Sequence, residues 1–433
     1  MSGIRSHGSE ACEARRLLAP VRADVLKLLG ELVRTDTVAI PPDGREAEGQ
    51  RVLAAFLRKR GLDVEVYDTG FLECSGHPYV RSDRRYKGRP NVIARVPGRG
   101  AGRSLLLNGH MDTVPPGSSP WRHGAFSGKL SGGRLYGRGA WDMKGGLAAQ
   151  FGVALALRKA GLRLGGDLLC ESVVDEEWAG GGGTLAARLR GDRADACVIP
   201  EGTNLAVVRA SRGGHFFELT VRAGDPSAYF SKAEVTSPAV PMGRLLGWVD
   251  EWTCRRRAIR RGKTYADFPD PAPVQVLALE ANRFESGVPW STPLEAKIRL
   301  YFQFLPHENV AAVMKAVRQS LDRFCRRDPF FRQHPPAWHD IVDPALLGHE
   351  LPATHAWTAC LHRQAEAVLR REVPVTAAEY PCDAFICQRL FDIPTLLFGP
   401  CGAGAHNADE YVTTASVLQT AESLLAAALE WCG

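Results

Sequence analysis

Three features of the chain predict an α/β fold, a doubly wound mixed sheet with a smaller α+β domain set into it. First, short apolar runs stop abruptly at polar residues. Ser104–Leu107 ends at Asn108-Gly109-His110, Asp167–Val174 at Asp175-Glu176-Glu177, Ala196–Ile199 at Pro200-Glu201, and Thr395–Phe398 at Gly399-Pro400. Second, helical periodicity lies between such runs, as in Ala148–Lys159 and Thr184–Leu189. Strands apolar on both faces, alternating with helices, are covered on both sides. Third, the pattern changes after Val208 to strand, helix, strand, strand, helix, the order of a small α+β unit.

Taken in order, residues 1–20 are expected to fray. Val21–Val33 has apolar residues at helical spacing, and Glu46–Arg60 reads as a second amphipathic helix. Val64–Tyr67 and Asn91–Val96 read as strands. In the inserted part, Phe216–Val221 alternates as a strand and Met242–Arg260 is helical. Val274–Leu279 and Ala296–Phe304 are strands, and Val310–Phe324 is a helix. The main fold resumes with helix Thr354–Arg370 and the strand before Gly399.

Composition narrows the function classes. The 433 residues are 45% hydrophobic and 24% charged, with 54 Lys+Arg against 48 Asp+Glu and a net charge of +6. So weak a charge over this length does not mark a nucleic-acid track, and the arginines of Arg255–Arg257 and Arg260–Arg261 read as a solvated helix face. No apolar run reaches the ~18 residues that span a bilayer, and Met1–Arg16 lacks the apolar core of a secretory signal. The 11 cysteines contain no Cys-x-x-Cys, which argues against a disulfide framework or zinc ribbon and for a reducing cytoplasm.

Metal-binding residue types sit just past four strand ends, the edge where open α/β sheets bind ligands. In Gly109-His110-Met111-Asp112-Thr113-Val114-Pro115, positions two apart share a strand face, so Asp112 can orient a ligating His110. In Tyr136-Gly137-Arg138-Gly139-Ala140-Trp141-Asp142-Met143-Lys144-Gly145-Gly146, Asp142 opens a helix. There, helix N-terminal amides are expected to hold its carboxylate while both oxygens face a pair of metals. The adjacent acids Glu176 and Glu177 point in different directions, so one can ligate while the other acts as a base. Glu201 follows the next strand, and His406 lies in the Gly-rich segment Gly399–Glu410.

On these boxes the chain resembles, from about Val21 to Leu429, the acetylornithine deacetylase / succinyl-diaminopimelate desuccinylase family. Those are dinuclear zinc amidohydrolases and exopeptidases related to carboxypeptidase G and aminoacylase-1. The resemblance implies a catalytic domain over 1–209 and 328–433, with a ferredoxin-like lid and dimerisation domain at 210–327. It implies that Asp142 bridges two Zn2+ ions, with Co2+ or Mn2+ also suited to oxygen-rich ligands. His110 and Glu201 complete one metal site, and Glu177 and His406 the other. Asp112 orients His110, and Glu176 is the general base. Two Zn2+ against Asp142, Glu177 and Glu201 leave a single positive charge, which suits a bridging hydroxide. The partners implied are a small-molecule amide substrate and a second copy of the chain, with neither nucleic acid nor membrane.

The insert departs from that family. Where a Gly-x-x-Ala-His segment is usual, Gly224-Asp225-Pro226-Ser227-Ala228-Tyr229 has no His; Tyr229 is the nearest polar side chain, and His215 is a weak substitute. Ser286 stands at the usual Asn position and Gln303 at the usual Arg position, with Arg299 and Asn282 substituting only if the register slips. Cys382 and Cys401 occupy small-residue positions facing the same pocket, either as lining or as reactive thiols. Tyr229, Gln303, Cys382 and Cys401 are therefore the expected substrate contacts. Loss of a charge-pairing site changes the substrate rather than merely weakening it, so a substrate without a free α-carboxylate is expected. Two other readings compete: a condensation or elimination on the same metals, and a dimeric binding protein using the old site. The intact Glu176 argues against the second.

Overall fold

The computed structural model describes residues 9–179, 181–223, 237–260, 262–281 and 293–433. Two compact units form. One comprises Met1–Ala210, His349–Ala378 and Cys382–Gly433, and the other Ser211–Gly348 with Glu379–Pro381.

The first unit is built on a nine-stranded mixed sheet. Its centre is four mutually parallel strands, in the spatial order Thr395–Leu397, Cys197–Ile199, Leu105–His110 and Leu168–Val173. Pro90–Val96 and Asp63–Asp68 extend it antiparallel on one side, and Val207–Ser211 on the other. Parallel pairing gives the four central strands a common carboxyl edge, and the polar stops in the sequence all fall there. Helix Gly145–Ala160 packs against Arg22–Arg34 and Thr414–Trp431. Its near-continuous small and apolar sequence suits burial on every side: thirteen of its sixteen residues are buried.

The N-terminus differs from expectation. Ser9–Leu18 is a helix whose Ala11, Ala14, Leu17 and Leu18 are buried against the main core. Burying each leucine contributes roughly 1.5–3 kcal/mol, which overrides the tendency of a chain end to fray. A second, four-stranded sheet also went unforeseen. It joins Gly402–Ala403, Tyr411–Thr413, Arg134–Tyr136 and Lys129–Ser131 in that order, antiparallel throughout. Strands of two or three residues carry too little periodicity to be read from sequence.

The second unit has its own four-stranded antiparallel sheet, ordered Val274–Glu280, Glu295–Phe304, Gly213–Arg222 and Ala337–Asp340. The last strand lies beyond Arg327, where the sequence reading ends the insert, and its pairing with Gly213–Arg222 draws the chain as far as Gly348 into this unit. Helices Ala239–Arg257 and Val310–Arg327 share a core with the sheet. On the first helix, Leu245, Trp248, Val249 and Trp252 repeat at i, i+3, i+4 and i+7 and are buried. Trp248 Nε1 donates to Ser320 Oγ at 3.1 Å, tying the two helices together. The arginine run is only partly a solvated face: Arg256 is buried and makes a two-pronged pair with Glu308 at 2.5 and 2.7 Å. Among the described residues no helix is long and apolar enough to cross a membrane.

Candidate metal centre

The carboxyl edge of the parallel strands gathers His110, Asp142, Glu176, Glu177, Glu201 and His406. His110 is the last residue of its strand and is buried. Its Nδ1 is 3.0 Å from the Asp112 carbonyl oxygen, which leaves Nε2 facing outward, 3.2 Å from Asp142 Oδ1 and 3.5 Å from Glu201 Oε1. The other oxygen of Asp142, Oδ2, is 3.3 Å from His406 Nε2, which is 2.8 Å from Glu177 Oε2. The one carboxylate of Asp142 thus stands between two His–Glu pairs. Donor atoms of His110, Asp142 and Glu177 all lie within 4.8 Å of one another. Glu176 Oε2 is 3.9 Å from His110 Nε2, close to the cluster yet outside hydrogen-bond range of it.

The electrostatics test whether these residues suit a cation. Burial opposes charge on His110, but hydrogen bonds to Asp142 and Glu201 hold its pKa well above the usual imidazole value. Hydrogen bonds to Asp142 and Glu177 raise His406 to about 11. Burial favours the neutral acid at Asp142, yet the two imidazoles hold it well below the ordinary carboxylate range. Burial, with the charge of Asp142 added, pushes Glu177 up to about 7, and burial also lifts Glu176 and Glu201. Four carboxylates around two imidazoles leave surplus negative charge in a partly buried place, His110 lying at the buried end and His406 at the exposed one. Protonation is one way to offset it; a pair of divalent cations is the other, and it uses the same donor atoms. The donor set of nitrogen and oxygen fits such ions.

Two details differ from the sequence reading. The Asp112 carboxylate is 3.7 Å from His110 Nδ1, so its backbone carbonyl, not its side chain, holds the ring. Oδ2 of Asp112 accepts instead from the backbone amides of Glu176 and Glu177, each at 3.0 Å, and fixes the turn carrying both acids. The amides near Asp142 do not hold its own carboxylate either. Asp142 precedes the helix that begins at Gly145, and the amides of Gly139, Trp141 and Asp142 donate to Glu410. Sequence reasoning passed over Glu410 although it lies four residues after His406. Its sequence signal is an acid in the same Gly-rich segment as His406.

Of the expected substrate contacts, Tyr229 lies outside the described residues, as do Ala228, Asn282 and Ser286. Gln303 belongs to the second unit, where its Oε1 accepts from Arg212 Nη1 at 2.7 Å. His215 lies within strand Gly213–Arg222 rather than before it, with Nε2 2.8 Å from Asp340 Oδ1. Arg299 Nε donates to Glu218 at 2.9 Å. Cys382 is buried in the first unit, and Cys401 is half-buried, its amide donating to Ser416 Oγ at 2.8 Å. Burial pushes the Cys401 thiol up, opposite to activation. All eleven cysteines are free thiols.

Residues 106–430 match the family described as Peptidase family M20/M25/M40. The chain is 32% identical over 377 residues to succinyl-diaminopimelate desuccinylase of a Methylobacterium species, covering 81% of this chain and 86% of the relative. It is 27% identical over 438 residues to N-formyl-4-amino-5-aminomethyl-2-methylpyrimidine deformylase of Halalkalibacterium halodurans, covering 95% of each. In fold it is similar to a Bacillus subtilis protein described as a dinuclear metal-binding peptidase of the M20 family. That likeness has a TM-score of 0.64 at 14% identity and covers 96% of this chain and 99% of the other.

Proposed function

The chain belongs to peptidase family M20/M25/M40 and is a metal-dependent hydrolase of amide bonds, and we propose that it removes an acyl group from an amine that lacks a free α-carboxylate. One observation carries the metal chemistry: the carboxylate of Asp142 is shared between the His110–Glu201 pair and the His406–Glu177 pair. We assign two Zn2+ ions to these pairs, Co2+ or Mn2+ being the alternatives. Bound there, divalent cations supply Lewis acidity, which polarises a carbonyl and lowers the pKa of water to about 7.

The protein's own groups supply the proton handling. Glu176 stands beside the cluster with its backbone fixed through Asp112. It takes a proton from the attacking water and returns it to the departing nitrogen, so that the amine leaves neutral. The relatives named for removing a formyl and a succinyl group both release an amine from a small acyl group, the reaction class this arrangement suits; the aminomethylpyrimidine of the first carries no carboxylate, whereas the diaminopimelate of the second does, so the two differ in the feature the proposal turns on. The restriction to amines without a free α-carboxylate rests on Gln303. At the position where an arginine would pair a carboxylate, its amide oxygen is already committed to Arg212.

A homodimer formed through the second unit is part of the proposal. Among the described residues its strand Val274–Glu280 lies at the sheet edge and exposes Val276, Leu277 and Leu279, and an apolar strand edge is a template for a second strand. Eleven free thiols suit a cytoplasmic setting. The test is hydrolysis of a panel of N-formyl, N-acetyl and N-succinyl amines, each paired with the corresponding amino acid. Faster cleavage of the amines is expected; faster cleavage of the free-carboxylate compounds refutes the substrate assignment.

A further inference from the structure

Glu410 is fully buried and spends its whole carboxylate on one loop. Oε2 accepts from Arg138 Nη1 at 2.7 Å and from the Gly139 amide at 2.9 Å. Oε1 accepts from the amides of Trp141 at 2.9 Å and Asp142 at 3.1 Å. Its backbone carbonyl takes the Gly137 amide at 2.9 Å. The loop from Gly137 to Asp142 is therefore wrapped around a single side chain. Gly139 has φ +79°, and a Cβ there would stand 2.5 Å from Thr113 Cγ2, so the wrapping tolerates no side chain at that point. On the other side, Glu410 is four residues from His406. The strand that follows it, Tyr411–Thr413, pairs with both Gly402–Ala403 and Arg134–Tyr136. One residue thus joins the segment carrying His406 to the amide of Asp142.

We propose that Glu410 is a positioning residue that fixes both halves of the metal centre at once, by setting the backbone from which Asp142 presents its two oxygens. All its partners are N–H groups, so the position demands a group that only accepts. A buried carboxylate is tolerated only when paired and fully hydrogen-bonded, and Arg138 with three amides meets that condition. Glutamine would turn an NH2 towards two N–H donors and release half of the clamp. Because Asp142 serves both His–Glu pairs, a displaced loop must weaken both metals together, whereas loss of one imidazole acts first on its own side.

The proposal rests on the metal assignment above, and the test separates the two. Zinc binding to the metal-stripped full-length chain is followed by calorimetric titration for the parent, Glu410→Gln, His110→Ala and His406→Ala. The absorption spectrum of the Co2+-loaded proteins is recorded alongside. Glu410→Gln should weaken both binding steps by roughly 10–100-fold and change the Co2+ bands, with the melting curve of the metal-free chain still cooperative. Each histidine variant should chiefly lose one step. If the histidine variants behave so while Glu410→Gln titrates as the parent does, the clamp is wrong and the metal assignment stands. If the histidine variants bind as the parent does, the metal assignment itself fails. Should Glu410→Gln not fold, Glu410→Asp keeps the charge facing Arg138 but withdraws the oxygens from the amides, and it carries the same expectation. Failure of both to fold would make Glu410 a stability residue and overturn the proposal.

Discussion

The two units treat their polar residues differently. In the first, side chains of four separate segments converge within a few ångströms of Asp142, and partners remote in sequence hold them there: Asp112 under Glu176 and Glu177, and Glu410 under Asp142. In the second, the described polar groups among those considered for reading the substrate are spent internally. Gln303 accepts from Arg212, His215 faces Asp340, and Arg299 is held by Glu218. Arg212 is itself buried, with its other bonds going to the carbonyls of Asp270 and Glu379. A reaction centre tolerates little change because each donor must be placed; a recognition surface can be rebuilt one residue at a time. Under the proposed function, amide hydrolysis is retained while the amine accepted differs.

The largest effect that could break this contrast lies in the first unit. Glu176→Ala should lower kcat by about 10²–10⁴-fold, the usual worth of a positioned proton-transfer group, with metal content unchanged by elemental analysis. Turnover near the parent's would remove Glu176 as the base. An intermediate effect belongs to the edge strand of the second unit. Leu277→Lys places a charge on an exposed apolar strand and should shift sedimentation from dimer towards monomer with the fold intact by circular dichroism. A parent that sediments as a monomer rules out the dimer. Gln303 carries the mildest expectation. Gln303→Leu leaves a buried Arg212 donor without its acceptor and should cost about 1–3 kcal/mol of stability, read as a lower denaturation midpoint. No change in midpoint would mean that Gln303 is not committed to Arg212 and is free to meet substrate.

How far the sequence alone could be read follows the same divide between local and long-range information. The four strand ends were legible because each combines a short apolar run with a chemical stop, and the helix after Asp142 because its composition is helical. His110, Glu176, Glu177 and Glu201 stand at such stops, whereas Asp142 and His406 stand in Gly-rich turns, and the roles of all six come from the family resemblance rather than from local pattern. What escaped depends on pairing across the chain. The small sheet beside the metal centre is built from strands too short to show a period. The bond from Glu410 to Asp142 spans 268 residues, and no local pattern announces it. The N-terminal helix Ser9–Leu18 has apolar residues only at Ala11, Ala14, Leu17 and Leu18, and its stability comes from the core it meets. Spacing along a strand makes His110 and Asp112 neighbours but does not say which atom turns which way: the carbonyl of Asp112 meets the ring, while its carboxylate meets the amides of Glu176 and Glu177.

We propose that Asp142 would serve two metal ions, one held with His110 and Glu201 and the other with His406 and Glu177. Divalent metal per chain, determined by elemental analysis after exhaustive dialysis against metal-free buffer, tests it most directly. About two ions per chain are expected for the parent and fewer than one for Asp142→Ala, since that carboxylate serves both pairs. One ion or fewer in the parent, or an Asp142→Ala protein that keeps its full complement, would contradict it.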